Sequence, residues 1–176
     1  MMKNLFQILC GLFLVVSYSS CMHSEEDKVD VLIIGGGASG VTSGIQSARM
    51  GANTLILEES TWLGGMLTSA GVSAVDGNYR LPAGLWGEFK NRLSDYYGGL
   101  DSLKTGWVSN VLFEPSVGNK ILHEMVAAEN NLKVWKQACL EEVKRTGDEW
   151  VAKVKVEGQG VKTVRAKVMI LSLIHI

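Results

Sequence analysis

Three glycines with a fixed spacing stand where the sequence could bind an anionic ligand. Gly35, Gly37 and Gly40 form the pattern G-x-G-x-x-G directly after the apolar, mostly β-branched run 29–34, which fits a buried strand. The first glycine permits a tight turn, the second leaves no side chain between the backbone and a pyrophosphate, and the third lets a following helix approach the strand. The N–H groups and the dipole at the start of that helix favour a diphosphate. The candidate binding residues in this turn are Gly35, Gly37, Ala38, Ser39 and Gly40.

A glutamate stands at the end of the next predicted strand. The strand covers 54–57, and Glu58 follows it at about the 20-residue distance expected after the glycine pattern. An acid at this position accepts hydrogen bonds from a ribose hydroxyl and repels a 2′-phosphate. Glu59 is the less favoured ribose partner, and the alternative is that both glutamates are solvated turn residues. Because strand, glycines, helix, strand and acid are all in register, the sequence favours dinucleotide binding.

A second glycine pair, Gly64-Gly65, follows the acid. Paired glycines expose consecutive backbone N–H groups without obstruction by side chains, which suits an anionic ligand, and a plain glycine turn is the alternative. The order of strand, glycine pattern, acid and Gly-Gly pair resembles the FAD-binding start of the FAD-dependent oxidoreductase superfamily. An NAD enzyme would more often continue from the second strand into another helix–strand repeat, so FAD is the favoured cofactor.

Within that superfamily, the stretch 29–170 resembles bacterial flavoproteins grouped as heterodisulfide reductase A-like proteins. The Bacteroidetes members of this group often carry the label xanthan lyase. The segment 113–125 resembles the same group. Some of these relatives carry iron–sulfur clusters, but this sequence offers no ligands for them.

The resemblance implies where an extended FAD would lie. Its pyrophosphate would lie at the glycine turn, and Glu58 would bind the adenosine ribose. The paired glycines would pass close to the diphosphate and the ribityl chain. A backbone group near Leu140 would touch the adenine. The residues implied for the diphosphate and the ribityl chain are Gly64, Gly65 and Met66, with Thr68 nearby.

These features predict an FAD-dependent oxidoreductase that acts by flavin-mediated hydride or electron transfer on a small-molecule substrate of unknown identity. No residue is assigned as a catalytic acid or base. Two alternatives stay open at this point. One is an NAD-dependent dehydrogenase that uses the same glycines, and the other is a non-catalytic exported module that binds a dinucleotide or a glycan.

Three amphipathic helices and seven strands are predicted around these residues. The fold class is α/β, a Rossmann-like FAD/NAD(P)-binding domain with a parallel sheet and a β-meander, as in domains resembling glutathione reductase. The apolar stripes of the helices are Val41, Ile45 and Ala48; Leu85, Phe89 and Leu93; and, after Pro115, Val117, Ile121, Met125 and Ala128. The predicted parallel strands are 29–34, 54–57, 132–135 and 167–170, and those of the meander are 139–145, 150–156 and 161–165.

Composition and charge limit the other functions. The 176 residues include 20 glycines and 2 prolines and carry a net charge of −1, which fits one domain with tight turns and gives no basic face for nucleic acid. The three cysteines form no C-x-x-C pair, so metal or iron–sulfur ligation is not expected. Cys139 is expected to be a small buried hydrophobe rather than a reactive thiol. His123 is expected to be a surface residue rather than a catalyst.

The N-terminus predicts export. Lys3 precedes the apolar run 5–16, which is too short to span a bilayer and fits a signal peptide over 1–20. Small residues before Cys21 resemble the lipobox of bacterial lipoproteins, and the acidic stretch 21–28 resembles a surface-export tether of Bacteroidetes. The expected location is the outer membrane or the cell surface, with the membrane reached through a lipid on Cys21. The alternative is ordinary cleavage that yields a periplasmic or secreted protein.

The C-terminal residues depart from the family pattern. In the relatives the strand that corresponds to 167–170 leads to a small-residue turn that closes over the flavin, whereas this chain continues with Leu-Ser-Leu-Ile-His-Ile. We expect 29–170 to be the N-terminal part of the FAD-binding domain. We expect 171–176 to be an artefactual tail of a truncated gene, and the fragment by itself to be inactive.

Overall fold

The computed structural model describes residues 26–75, 77, 79–107 and 109–172. The predicted signal peptide, Cys21 and the first part of the predicted tether lie outside the described residues. No helix in the described ranges is long and apolar enough to cross a membrane. The strands and α-helices are β1 Glu26–Ile34, α1 Ala38–Arg49, β2 Thr54–Glu58, α2 Gly84–Tyr97, α3 Pro115–Ala127, β3 Leu132–Lys136, β4 Ala138–Thr146, β5 Glu149–Val156 and β6 Gly160–Leu171.

The strands form one six-stranded sheet in the order β3-β2-β1-β6-β5-β4. β1 pairs in parallel with both β2 and β6, and β2 pairs in parallel with β3. β4, β5 and β6 pair antiparallel and form the meander. This topology confirms the predicted α/β, Rossmann-like fold. Ile34 lies opposite Leu57 at the carboxyl ends of β1 and β2, so the residues that follow both strands meet at one edge of the sheet.

The sheet is buried on both faces. Along β1, Ile33 belongs to the core under the helices, whereas Leu32 and Ile34 belong to a second core on the other face, shared with the meander strands. On the helical side, Phe89 and Phe113 meet edge to face with 5.4 Å between ring centroids. Burial on both faces explains why β1 and β2 are almost continuously apolar rather than alternating.

The largest differences from the predicted strand ranges are in β1 and β6. β1 begins at Glu26 because residues 26–28 pair with β6, where Arg165 forms an ion pair with Glu26. Three residues of the predicted tether therefore belong to the sheet. The predicted strands 161–165 and 167–170 are one strand, β6, because Ala166 stays in register with both neighbours. β6 continues to Leu171, so the first residue of the predicted tail is also part of the sheet.

Three side chains differ from their predicted surroundings. α3 ends at Ala127, and Ala128 is exposed beyond its end instead of facing the core. Cys139 is exposed rather than buried, because β4 is the edge strand of the sheet and the neighbouring Ala138 takes the core position. His123 is half-buried on α3 rather than fully at the surface.

Candidate functional site

The glycine turn between β1 and α1 has the predicted geometry. Gly35 has a φ of 100°, which other residues rarely adopt, and its N–H donates to the carbonyl of Leu57 at 2.8 Å. A Cβ on Gly40 would lie 1.9 Å from the carbonyl oxygen of Gly35, so only glycine lets α1 begin this close to the strand. Gly37 is the N-cap of α1, and a Cβ there would meet nothing within 4 Å. The space that a side chain at Gly37 would occupy is therefore open.

The second glycine pair lies directly against this turn. The N–H of Gly64 donates to the carbonyl of Gly36 at 2.8 Å, and Gly37 and Gly64 form a parallel bridge. A Cβ on Gly65 would lie 3.2 Å from the Cα of Gly37. Gly64 and Gly65 both have positive φ, 106° and 52°, which favours glycine. The two segments predicted to approach one diphosphate are therefore in contact with each other.

The carboxylate of Glu58 is bonded to the same turn. Its Oε2 accepts a hydrogen bond from the backbone N–H of Gly36 at 2.7 Å, and its Oε1 accepts one from the N–H of Ser60 at 2.8 Å. A carboxylate has about four acceptor sites, so two N–H bonds leave room for sugar hydroxyls. The predicted ribose acid is therefore fixed in orientation and retains free acceptor capacity.

A small cavity of about 100 Å³ lies beside Glu58. Leu140 lines it, so the structure brings the residue implied for adenine contact next to the residue predicted for ribose contact. The register of β4 shifts between Leu140 and Glu142, where the strand passes this cavity. The residues that line the cavity are Ile34, Gly35, Leu57, Glu58, Glu59, Ala138 and Leu140.

Cys139 lies next to this cavity, although it was not expected in the site. Its Sγ lies 3.5 Å from Oε1 of Glu59. Partial desolvation is the larger cause, and the neighbouring Glu59 carboxylate the next, of a raised pKa of the Cys139 thiol. No sequence pattern links these two residues, which are 80 positions apart.

A larger cavity of about 490 Å³ lies at the start of α1. Ala38, Ser39 and Met66 line it, and Met66 is 46 % exposed. The hydroxyl oxygens of Ser39 and Ser172 lie 2.7 Å apart. The rest of the lining is mainly apolar, which suits an uncharged ring better than a second anion. Its apolar lining residues include Leu67, Val75, Leu85, Trp86, Phe89, Leu122 and Met125.

Thr68, which the resemblance placed near the cofactor, has a buried side chain. It is 1 % exposed, and its hydroxyl donates to the carbonyl of Leu63 at 2.5 Å. Its Cγ2 packs against two glycines. A Cβ added to Gly64 would lie 2.7 Å from this atom, and a Cβ added to Gly118 would lie 3.3 Å from it. Thr68 therefore holds the turn before the second glycine pair and does not point its hydroxyl at a ligand.

Asn119 supports the same loop and was missed from the sequence. Its Oδ1 accepts a hydrogen bond from the N–H of Leu63 at 2.9 Å. The only signal in the sequence was an amide side chain on α3 between two buried positions, Gly118 and Ile121. Buried backbone N–H groups need such partners, so Asn119 positions the loop that carries Gly64.

The site combines three chemical capacities. Backbone N–H groups at the start of α1 and the N–H of Gly65 can bind phosphate oxygens, whereas the N–H of Gly64 is already bonded to Gly36. Glu58 can accept hydrogen bonds from a sugar, and the larger cavity can take an apolar ring. Among the residues that the structure describes, no group of three or more His, Cys, Asp or Glu side chains could hold a metal ion.

Comparisons with known proteins identify the fold and the family of the chain. No curated protein matches the chain in sequence. Three solved structures share its fold: a flavoprotein/dehydrogenase from Cytophaga hutchinsonii (16 % identity, TM-score 0.60), an anhydrotetracycline hydroxylase from Streptomyces rimosus (13 %, 0.58) and a bacillithiol disulfide reductase from Bacillus cereus (16 %, 0.54). Each match covers 82 % of this chain and, in the same order, 39 %, 31 % and 39 % of the other chain.

These structural matches establish the fold, and the chain spans well under half the length of the proteins it resembles. The sequence itself matches the profile of a family described as FAD dependent oxidoreductase over residues 30–171, which is most of the chain. That range contains both glycine segments, Glu58 and Leu140. The chain therefore belongs to the FAD-dependent oxidoreductase family, and its cofactor is FAD.

Proposed function

We propose that this chain forms the FAD-binding part of an exported oxidoreductase, in which hydride or electrons pass between FAD and a small-molecule substrate. The observation that carries the proposal is the hydrogen bond from the N–H of Gly36 to Oε2 of Glu58 at 2.7 Å. It ties the carboxylate to the turn whose backbone is open to a diphosphate. Ribose and diphosphate are adjacent groups in FAD, so an acid and a glycine turn in direct contact fit its adenosine diphosphate half.

The residues present fit this cofactor. Gly37 and the Gly64–Gly65 backbone leave a cradle without side chains, where N–H groups can meet phosphate oxygens. Glu58 orients the ribose through its free acceptor sites, and Leu140 offers an apolar edge beside it. When bound, FAD supplies the redox chemistry through its isoalloxazine ring. The part played by these residues is to bind the cofactor and fix its orientation.

Within the family, we assign the chain to the heterodisulfide reductase A-like flavoproteins, of the Bacteroidetes type that carries the label xanthan lyase. The support for this is the sequence order from Gly35 to Met66, together with the segment 113–125. This assignment names a group of proteins and not a substrate.

FAD binding is tested with the purified full chain. Titration with FAD is followed by flavin fluorescence, with NAD⁺ titrated separately. We expect saturable FAD binding that ADP-ribose competes with, because ADP-ribose carries the same adenosine, ribose and diphosphate groups. Riboflavin lacks these groups and should not compete.

The alternatives give different results in the same titrations. Saturable NAD⁺ binding without FAD binding would favour an NAD-dependent dehydrogenase. A chain that binds neither cofactor but binds a glycan would favour the non-catalytic module. Either result would overturn the proposal.

Export and lipid anchoring are part of the proposal and rest on the sequence before residue 26. Expression of the full chain in a Gram-negative bacterium with a labelled fatty acid tests both. We expect the wild-type chain to carry the labelled fatty acid and to be found in the membrane fraction. The Cys21→Ser variant should not carry the label. An unlabelled, soluble wild-type chain would contradict lipid anchoring. Its recovery from the periplasm or the medium would then favour ordinary cleavage, whereas its recovery from the cytoplasm would contradict export.

A further inference from the structure

Lys90 is a buried cation outside the dinucleotide site. It lies on α2, is 6 % exposed, and donates from Nζ to the carbonyls of Tyr79 and Leu81 at 2.7 and 2.8 Å. Its Nζ also lies 5.9 Å from the centroid of the Trp86 ring. These partners are neutral, so they satisfy donors without compensating the charge. Burying a lysine without a counter-ion costs free energy, and no ion pair of Lys90 occurs among the described residues.

The segments around Lys90 pack tightly against each other. The loop before α2 lies against the helix so tightly that a Cβ on Gly87 would come within 2.4 Å of the carbonyl oxygen of Pro82. On the opposite side, Ser109 donates from its hydroxyl to the carbonyl of Val75 at 2.7 Å and fixes the segment that leads to Val111. A cavity of about 400 Å³ lies between these walls.

Three cations line this cavity: Arg80, Lys90 and Lys104. The described lining residues include no carboxylate. Lys104 is paired with Asp101 at 2.7 Å, but that carboxylate is 95 % exposed and lies outside the cavity. Arg80 lies over the ring of Tyr79, 5.4 Å from its centroid, so its guanidinium is held at the rim. Among the described lining residues, all the charged side chains are therefore cationic, which favours an anionic ligand.

The remaining lining defines the kind of anion. Asn91 and Asn110 offer amide donors, while Pro82, Leu100 and Val111 form an apolar surface. Amide and cationic donors suit the two oxygens of a carboxylate, and the apolar surface suits a hydrocarbon body. The volume of about 400 Å³ lies within the range of small-molecule sites.

We infer that this cavity, which we call the Lys90 cavity, is a binding site for a small organic carboxylate with an apolar body. The carboxylate would supply the counter-charge that Lys90 lacks within the described residues, with Arg80 and Lys104 closing over it from the rim. The Lys90 cavity shares no lining residue with the apolar cavity at the glycine turn, and the inference does not depend on FAD binding.

Isothermal titration calorimetry on the full chain, with and without FAD, tests the inference. The probe is cyclohexanecarboxylate; cyclohexylmethanol serves as its neutral counterpart and inorganic phosphate as an anion without an apolar body. We expect saturable one-to-one binding of cyclohexanecarboxylate and much weaker binding of the other two. The double variant Arg80→Gln/Lys104→Gln should weaken binding about tenfold or more, because each substitution removes a charged donor.

A matched double variant controls for the loss of two surface cations. Arg145 lies over Trp150 as Arg80 lies over Tyr79, and Lys120 pairs with Glu124 on a helix as Lys104 pairs with Asp101. Arg145→Gln/Lys120→Gln should leave binding unchanged. Urea unfolding of both double variants checks that the fold is kept. No saturable binding, equal binding of the alcohol, tighter binding of phosphate, or an equal loss in both double variants would each overturn the inference.

Discussion

Gly40 and Gly35 approach so closely that a Cβ on Gly40 would lie 1.9 Å from the carbonyl oxygen of Gly35. Gly37, between them in sequence, has open space where its Cβ would be and an ordinary φ of −64°. The same motif thus contains one glycine required by the fold and one that leaves space free for a ligand. Substitutions at these two glycines can therefore distinguish an effect on stability from an effect on cofactor binding.

Substitution of these two glycines should have opposite effects. Gly40→Ala forces α1 away from the strand and should lower the free energy of unfolding by about 3 kcal/mol or more. Gly37→Ala should leave stability within about 0.5 kcal/mol, because nothing is displaced. It should weaken FAD binding about tenfold, since the methyl group stands between the backbone and the diphosphate. Urea unfolding and FAD titration measure both. A Gly37→Ala variant that binds FAD normally would contradict the predicted approach of the diphosphate.

Glu58→Gln should weaken both FAD binding and the turn. The amide keeps one acceptor but presents an NH₂ group to one of the two backbone N–H donors, at Gly36 or Ser60. We expect the free energy of unfolding to fall by about 1–2 kcal/mol and the affinity for FAD to fall about tenfold or more. The matched control is Glu59→Gln, which should change FAD affinity by less than about threefold. Equal losses in the two variants would contradict the assignment of Glu58 as the ribose acid.

The local part of the site follows from the sequence, because short-range rules determine it. Gly35, Gly40 and Glu58 occupy positions set by a strand, a turn and the next strand, and the structure has them there. The surroundings of Thr68 and Cys139 did not follow from the sequence because they depend on distant segments. The burial of Thr68 depends on α3, whose Gly118 lies next to its Cγ2, and the exposure of Cys139 depends on the edge position of β4.

The boundaries of β1 and β6 were predicted wrongly for the same reason. Residues 26–28 are acidic and basic and look like linker, and only pairing with β6 makes them strand. Ala166 gives no local sign that β6 continues through it, since its two neighbours in the sheet decide the register. Sequence patterns predict strands that show a regular run of apolar residues. They do not predict strand extensions that depend on ion pairs or on hydrogen bonding to a neighbouring strand.

Arg49→Met should destabilise the contact between three helical segments. At the end of α1, Arg49 pairs with Glu88 of α2 at 2.9 Å and with Glu129 beyond α3 at 2.7 Å. The pairs are partly exposed, so we expect a loss of only about 1 kcal/mol, which shrinks in about 1 M NaCl. Lys167→Met is the control, because Lys167 is 73 % exposed in its pair with Asp30 and should cost less. A loss that does not respond to salt would assign the effect to packing of the arginine stem instead.

His123→Gln should reduce the loss of stability in mild acid. Burial and the nearby Lys136 lower the pKa of His123 below its usual value of about 6.5. The folded state therefore binds fewer protons than the unfolded state near pH 6, and stability rises with pH there. The contribution is complete above about pH 6.5 and is lost as the pH falls through the lower folded-state pKa. The urea midpoint of the variant should fall less than that of the wild type between about pH 7.5 and 5. Parallel changes in both proteins would contradict this.

Cys139 is exposed, but we expect its thiol to be alkylated slowly. Partial desolvation of the thiol first, and the carboxylate of Glu59 next, raise the pKa of the Cys139 thiol, so little thiolate is present at neutral pH. Alkylation by iodoacetamide, measured by mass spectrometry on the peptide that contains Cys139, should be slower than that of free cysteine. Glu59→Gln should accelerate it a few-fold, because it removes a carboxylate 3.5 Å from Sγ, whereas Glu141→Gln should do so less.

The same thiol reports on the adenosine side of the site. Glu59 lines the small cavity together with Glu58 and Leu140, and Sγ of Cys139 lies 3.5 Å from Oε1 of Glu59. An adenosine group bound there would cover the thiol, so saturating FAD should slow the alkylation of Cys139, and ADP-ribose should do the same. Riboflavin, which lacks that half, should have no effect. If FAD binds but leaves the alkylation rate unchanged, the adenosine does not lie between Glu58 and Leu140, and the implied contact at Leu140 is wrong.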